Sequence, residues 1–446
     1  MTEKEMGISK RLVEEISEGK SEPAWMRENR LDALAVFEQM KLPTWGPVER
    51  LSAIDFSKLR YYVKPDASRS KSWKDVPADI RERYDVLGIP EGEREYLAGL
   101  GAQFESEMIY HAIRQELIEK GIVFEEMSEA VRKYPDLVRK YFGSIIPPQN
   151  NKFAALNSAV WSGGSFVYIP QGVYLEAPLH NFFQMSTPSQ GQFERTLIVA
   201  EEGSVLEFIE GCVAPLYSEV SLHAGVVEII VKKGAQVKYS TMQNWSKNVL
   251  NLVTKSSRVE TEGTIEWVDG NVGSGVTMKY PSMILAGPKA RGQLLSLAFA
   301  GDGQVIDSGG KAIHLASETE ARIESKSVVK KDGRTSFRGD VHVSEGAENC
   351  RTSVSCVSLH LDDSSRSDTY PRFSVYNATA TVNHESSILR LNEEQLIYAQ
   401  SRGLSEEAAR GMIVGGFVKP FASELPMEYA VEFDRLVDLE IKDGVG

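Results

Sequence analysis

The reactive residues of this 446-residue chain are few, and their spacing is regular. There are three cysteines, Cys212, Cys350 and Cys356. Glu385 follows Cys356 at a spacing of 29, and His384 stands beside it. Thiolate, imidazole and carboxylate gathered in one patch make an iron-binding set. Ligation by one thiolate with a carboxylate or an imidazole would be labile, whereas four thiolates would make a resting cluster site. Cys212 precedes Cys356 at a spacing of 144 and lies at a strand end beside a turn, where a thiol can be reached. Gln243 follows Cys212 at a spacing of 31, with Trp245 and Lys255 close behind. A lysine near Cys212 would favour the thiolate, the nucleophilic form of cysteine. Each residue also has a plain reading. The cysteines could be small buried hydrophobes, and Gln243, Trp245 and Lys255 ordinary turn and edge polarity. Cys350, shortly before Cys356, reads as structural.

The intervals matter because the chain repeats. A Gly followed by a small or β-branched residue opens an alternating strand at Gly172-Val173, Gly203-Ser204, Gly234-Ala235, Gly263-Thr264, Gly292-Gln293 and Gly346-Ala347. Degenerate copies stand at Glu320-Ala321 and Asn377-Ala378. In chain order the steps in residue number are 31, 31, 29, 29, 28, 26 and 31. A period near 29 predicts a solenoid of the β-helix type. Strands in one sheet are ~4.8 Å apart. Cys356 and Glu385, one period apart, are then expected on adjacent coils, where one metal could see both. Cys212 and Cys356, about five periods apart, are expected in roughly the same column, on the order of 24 Å from each other. Gln243 is expected to neighbour Cys212 one coil on.

Other elements must flank this core. Residues 1–151 read as mainly helical. One helix is predicted from Glu105-Ser106-Glu107 through Met108, Ile109, Ala112, Ile113 and Leu117 to Gly121. Short helices follow at Met127–Lys133 and Pro135–Tyr141, with Gly143 as the stop. Pro65–Lys74 reads as a loop, and Pro147–Asn151 as a boundary. Residues 152–388 form the expected β-helix core of seven or eight coils. In 389–446 helical periodicity returns from Asn392, and Ser405 is an N-cap. Pro420 and Pro426 should break this region into short helices, the last reaching about Ile441. Helical regions on both sides could also cap the open ends of the solenoid.

Composition removes several functions. The net charge of −13 argues against a nucleic-acid backbone as the main ligand. Three cysteines are too few for a disulfide scaffold or a four-thiolate cluster site. CxxC, HExxH and a P-loop are absent, so ATP hydrolysis is not expected of this chain. His180, His223, His314, His342 and His360 are scattered and read as structural. No apolar run approaches the ~20 residues of a spanning helix. The start, MTEKEMGISKRLVEEIS, is a charged amphipathic pattern, so the chain is expected to be cytoplasmic.

A set of ordered motifs then carries a resemblance. They are Lys152 to Phe166 (KFAALNSAVWSGGSF), Gly191 to Leu197 (GQFERTL), Glu210-Gly211-Cys212, Leu222-His223-Ala224, Gln243-Asn244-Trp245 and Val253-Thr254-Lys255. They continue with His384-Glu385, Glu394-Gln395-Leu396 and Glu424 to Glu428 (ELPME). Over nearly its whole length the chain resembles the SufB/SufD family of iron–sulfur cluster assembly proteins, and within it the SufB type of scaffold. The resemblance implies a right-handed parallel β-helix flanked by helical regions, in a scaffold where nascent clusters are built and passed on. It implies a SufD-like subunit or a second copy as partner at the end of the β-helix. It implies a SufC-like ATPase docked on the C-terminal helices, and a SufE- or SufU-type sulfur donor with its cysteine desulfurase. Cys212 would receive persulfide sulfur, and Gln243, Trp245 and Lys255 would line the sulfur path. Cys356 and Glu385, with His384 beside them, would hold the nascent cluster. The implied cofactors are a transient cluster of the 4Fe-4S type and a reduced flavin. Gln184 and Ser186 stand where many relatives carry Arg and Asn, Asn383 where some carry Glu, and Gly225 where many carry Ala.

Two other classes compete with this reading. A β-helix enzyme acting on polysaccharides is supported by fold alone, and fold does not give function. A purely structural solenoid leaves both helical regions unexplained. Iron content and colour after anaerobic purification discriminate among the three.

Overall fold

The computed structural model describes residues 6–64, 98–185, 187, 189–214, 219–425, 430, 431, 433, 435 and 437. The loop expected at Pro65–Lys74, the break expected at Pro426 and the expected helix end near Ile441 lie outside them. Two long sheets, ten- and twelve-stranded, run the length of the core. Within each sheet nearly all pairs are parallel, and the chain alternates between the sheets, so they form a parallel β-solenoid of about eight turns.

Register fixes the coil length. Val205 opposes Gln236, which opposes Thr264, then Arg291, Glu320, Arg351 and Thr381. In residue number the steps are therefore 31, 28, 27, 29, 31 and 30. The expected Gly292 signature sits inside its strand, opposite Ile265. The short step of 26 from Glu320 to Gly346 is corrected: Gly346 lies in a turn ahead of the strand, and Arg351 is the residue that opposes Glu320.

The strands differ in texture because their outer faces have different neighbours. Arg195–Ala200 and Val226–Val231 are buried at every position. Met26, Met127, Val131 and Trp161 of the N-terminal region cover Leu197, Val199 and Ile230 from outside. Arg351–His360 instead alternates buried and exposed positions along its first half, as one wetted face requires.

The N-terminal region is less helical than expected. Glu107–Ile113 is a strand, antiparallel to Gly99–Phe104, and only Gln115–Glu119 of the expected helix forms. Glu105 turns the hairpin at φ 57°. Gly99–Phe104 adds in parallel to Leu179–Gln184, and Val123–Glu126 closes the other sheet against Ser165–Ile169. An open sheet edge offers a row of ladder hydrogen bonds, and that outweighs a helical apolar spacing. The helices Met127–Lys133 and Pro135–Tyr141 lie where the sequence places them, and Gly143 ends them at φ 72°. The stretch assigned to the start of the solenoid opens instead with a buried helix, Lys152–Val160, capped by the Asn151 side chain.

The last strands of the two sheets are Arg366–Val375 and Thr381–Arg390. Helices Glu393–Ser401 and Glu406–Ala422 do not cap this end. The second lies along the outside of the ten-stranded sheet, where Val414, Val418 and Phe421 meet Val268, Leu295 and Leu297. Pro420 does not break it but sits in its last turn. There the missing amide removes one hydrogen bond near the helix end, and side-chain packing on the sheet holds that turn. No helix among the described residues is long and apolar enough to cross a membrane.

Candidate functional site

Cys212 lies on Val205–Ala214 and is 2% exposed. Its partner on the next coil is Gln243, as their spacing implies. Cys212 also packs with Trp245, Phe183, Met185, Ala214 and Val249. The thiol is therefore buried, not reachable as expected, and the stretch expected to turn beside it, from residue 215, lies outside the described residues.

A connected polar network fills the interior next to this thiol. Glu210 Oε1 lies 3.9 Å from Cys212 Sγ, and Tyr239 Oη donates to Glu210 Oε2 at 2.5 Å. Lys255 Nζ is 3.8 Å from Glu210 Oε1, 3.7 Å from Asp269 Oδ1 and 3.3 Å from Thr241 Oγ1. Lys279 Nζ reaches Asp269 Oδ1 at 2.9 Å and donates to Gln243 Oε1 at 2.8 Å. Asn251 Nδ2 donates to the same Gln243 oxygen at 2.7 Å. Its Oδ1 meets His223 Nδ1 at 2.7 Å, and His223 Nε2 meets Glu194 Oε1 at 2.6 Å. The structure thus brings Cys212, Gln243, Trp245 and Lys255 together. It adds Glu210, Tyr239, Asp269, Lys279, Asn251 and the Glu194–His223 pair, which the sequence reading did not assign to the site. Their signal was polar character at inward strand positions one coil apart.

Burial sets the protonation of this network. It pushes the Cys212 thiol well up, with Glu210 and Glu194 adding to the effect and Lys255 and Lys279 opposing it. Burial also raises the Glu210 carboxyl against the pull of Lys255. Asp269 goes the other way: burial would raise it, but Lys279 and Lys255 hold it at about 2. Lys279 falls to about 8, because burial outweighs Asp269.

Cys356 is five coils away on Arg351–His360, as expected from the interval. Its column is that of Glu210, two residues along the strand from Cys212 and on the same face. It runs Glu210, Thr241, Asp269, Ser296, Ser325, Cys356. The neighbouring column runs Cys212, Gln243, Asn271, Ala298, Ser327, Ser358. Beside Cys356 a cavity of about 20 Å³ is lined by Ser325, Ser327, Thr335, Ser367 and Thr369.

Glu385 is on the adjacent coil, but the register differs by one residue from the expected spacing. Cys356 opposes Ser386, and Glu385 opposes Ser355. A one-residue slip changes the face, so the exposed Glu385 points away from Cys356. The thiol instead donates to Ser386 Oγ at 3.1 Å. His384 opposes Val354 and shares the face of Cys356. Its Nε2 is buried without a hydrogen-bond partner among the described residues, and its ring lies 5.7 Å from that of Phe373. Among the described residues no three His, Cys, Asp or Glu side chains converge as a metal site. Cys350 is buried at a turn against Thr319 Oγ1 and the Ala316 and Ala347 carbonyls.

The C-terminal helices leave Ile397, Tyr398 and Met412 exposed at 65, 62 and 60%. A cleft of about 600 Å³ between them is lined by Gln395, Tyr398, Arg402, Leu404, Met412 and Ile413.

Residues 182–417 match the family profile described as SUF system FeS cluster assembly, SufBD core domain. Residues 13–180 match the SufBD protein N-terminal region. An iron-sulfur cluster assembly SufBD family protein of Staphylococcus epidermidis is 51% identical over 442 residues, 99% of this chain and 95% of the relative. Proteins of the same description from Staphylococcus haemolyticus and Staphylococcus aureus are 50% identical with the same coverage of both chains. The chain belongs to the SufBD family of SUF-system iron–sulfur cluster assembly proteins.

Proposed function

We propose that this chain is a scaffold on which clusters are assembled from iron and donor persulfide sulfur, with Cys212 as the sulfur acceptor and Cys356 as a cluster ligand. One observation carries the reading. Two thiols lie on one interior wall of the solenoid, five coils apart, joined by polar side chains where a solenoid core is normally apolar. Buried polar groups in a core are costly unless satisfied. Gln243 Nε2 and Trp245 Nε1 are buried donors with no acceptor among the described residues. Both belong to the surroundings of Cys212, where they can donate to the terminal sulfur of a persulfide. Lys255, Thr241, Asn271 and the serine row then continue the route toward Cys356.

At the far end the ligand set is incomplete in one chain. Cys356 faces inward, His384 shares its side, and Glu385 lies on the outer face of an edge strand. The cluster is cargo, held through Cys356 and His384 on the inner face and completed across the open edge, where Glu385 on the outer face faces a partner rather than Cys356. Tyr370, Phe373, Tyr376, Ile388 and Leu389 are exposed on the last coil, which fits a SufD-like subunit or a second copy. The cleft between the C-terminal helices fits the SufC-like ATPase, which would supply ATP hydrolysis. A SufE- or SufU-type protein with its desulfurase supplies sulfur. Cluster type, 4Fe-4S, and the use of reduced flavin follow from the family resemblance.

Two cysteine variants test the reading. Cys356→Ala should accept persulfide sulfur yet accumulate no cluster. Cys212→Ala should lose persulfide transfer, and should partly recover cluster formation when inorganic sulfide and ferrous iron are supplied. Donor sulfur accepted by Cys212→Ala at the unmodified protein's rate would reject the assignment. For the ATPase dock, Ile397→Asp with Met412→Asp should remove binding in a pull-down while circular dichroism stays unchanged.

A further inference from the structure

We infer that Glu210 is the proton acceptor of Cys212: one proton is shared between the Glu210 carboxylate and the Cys212 thiol, and Glu210 takes it when the sulfur becomes the nucleophile. The inference rests on Cys212 as the sulfur acceptor.

A thiol attacks as the thiolate. Cys212 is 2% exposed, so its proton needs an acceptor inside the solenoid. The titratable and charged groups facing it from the packed elements are Glu210, Glu194, His223, Tyr239, Asp269, Lys255 and Lys279. Most of them are committed. Glu194 is engaged with His223 at 2.6 Å. Asp269 sits between two ammonium groups and is a weak base. Tyr239 is a donor, and its hydroxyl fixes Glu210 Oε2. Glu210 Oε1 lies 3.9 Å from the sulfur, with Lys255 Nζ a loose 3.8 Å from the same oxygen. Burial raises this carboxyl, which makes it a better base.

Charge balance supports the same pair. Setting aside Glu194 and His223, which are engaged with each other, Lys255 and Lys279 against Asp269 leave one positive charge beside the thiol. Glu210 and Cys212 holding one proton between them supply one negative charge. Moving that proton from sulfur to oxygen leaves the total unchanged. A low-dielectric interior penalises a change in net charge most, and this transfer makes none.

The full step balances. The Cys212 thiolate attacks the outer sulfur of a donor persulfide, R–S–SH. The donor S–S bond breaks as the new S–S bond forms on Cys212. The donor leaves as a thiolate and takes up the proton that Glu210 received. The products are Cys212–S–SH and R–SH, and no oxidant or reductant is consumed.

The test reads the thiolate directly. The ultraviolet thiolate absorbance of the full chain is titrated, and the signal of the matching Cys212→Ala protein is subtracted. Glu210→Gln keeps the shape and the bond to Tyr239 but removes the competing anion. The Cys212 thiolate should then persist at least about one pH unit lower than in the unmodified protein. Lys279→Gln removes a cation and should shift the titration upward, which guards against a folding artefact of a single variant. With glutathione persulfide as donor, sulfur transfer should vary little with pH in the unmodified protein, where the proton moves within the pair, and should rise with pH in Glu210→Gln, where the proton must be lost to solvent. A Glu210→Gln titration that is unmoved, or moved upward, overturns the shared proton. An unmodified Cys212 that takes no sulfur from the persulfide overturns the acceptor reading instead. The two failures are separate, because the titration is read without donor.

Discussion

Cys212 is surrounded by two ammonium groups, carboxylates and a phenol, whereas Cys356 is surrounded by hydroxyls. Both thiols lie on the same inner wall, and both are nearly inaccessible, at 2 and 6% exposure. Around Cys212 nearly every charge is answered by another within 4 Å. Around Cys356 the neighbours are Ser325, Ser327, Ser358, Ser367, Thr369 and Ser386, with a small cavity between them. The coils at the first end are wrapped by helices, while the last coil ends in two uncovered strands. A closed charged chamber suits proton and sulfur chemistry on one thiol. An open, hydroxyl-lined end suits a metal site that is finished by something else. The difference teaches that one wall of a solenoid can carry two chemistries, because each coil chooses its inward residues independently.

The contrast can be broken at matched positions. Asp269 and Ser325 occupy the same column, two coils apart. Asp269→Ala leaves Lys255 and Lys279 without their shared anion, and should cost about 3–5 kcal/mol of stability in denaturant unfolding. Ser325→Ala should cost no more than ~1 kcal/mol, since its loss strands no charge. Equal costs at the two sites would erase the distinction.

Gly225→Ala probes the first end through its packing. A Cβ there would lie 2.0 Å from Glu194 Oε1 and 3.3 Å from His223 Nε2. The carboxylate must swing away from His223, at an expected cost of about 1–3 kcal/mol. Thermal unfolding checks it, and an unchanged midpoint would show that the Glu194–His223 contact holds nothing in place.

The pH response bears on both ends, through His314 in the later coils and His180 beside the Cys212 strand. Burial, with His342 adding to it, lowers His314 to about 4, and its ring lies between Thr319 Oγ1 and Thr352 Oγ1. Burial lowers His180 to about 3. The folded state keeps both rings neutral, so the unfolded chain binds more protons between these values and the ordinary value near 6.5. Stability should therefore fall as pH drops from about 6.5 toward 4. His314→Gln should flatten part of that slope in urea titrations at several pH values. The smallest effect is expected at Cys350→Ala, which should leave persulfide transfer and cluster formation intact and cost about 1 kcal/mol.

Much of this was legible in the chain itself. The Gly-led repeat and alternating strands specified a β-solenoid, because period-2 patterning and turn chemistry are local properties. The spacing of 31 between Cys212 and Gln243 placed them side by side, and the five-coil separation of the two thiols followed from the same count. The helices Met127–Lys133 and Pro135–Tyr141 were equally plain from their start and stop residues. Other features were decided only in three dimensions. Glu107–Ile113 became a strand because a free sheet edge was waiting for it. The Glu210–Lys255–Asp269–Lys279 cluster draws on two facing sheets, so coil spacing marks the inward polar positions within a sheet but not which of them meet across the core. Glu385 turned outward because the coil that follows Cys356 is one residue longer than the mean period. A mean period averages over such single-residue differences, while alternation along a strand reverses with every one of them. The chain alone specified the solenoid and the row of coils on which each reactive residue lies. Which side of the wall each residue faces, and which charges meet across the core, was settled by register and by the packing of one sheet against the other.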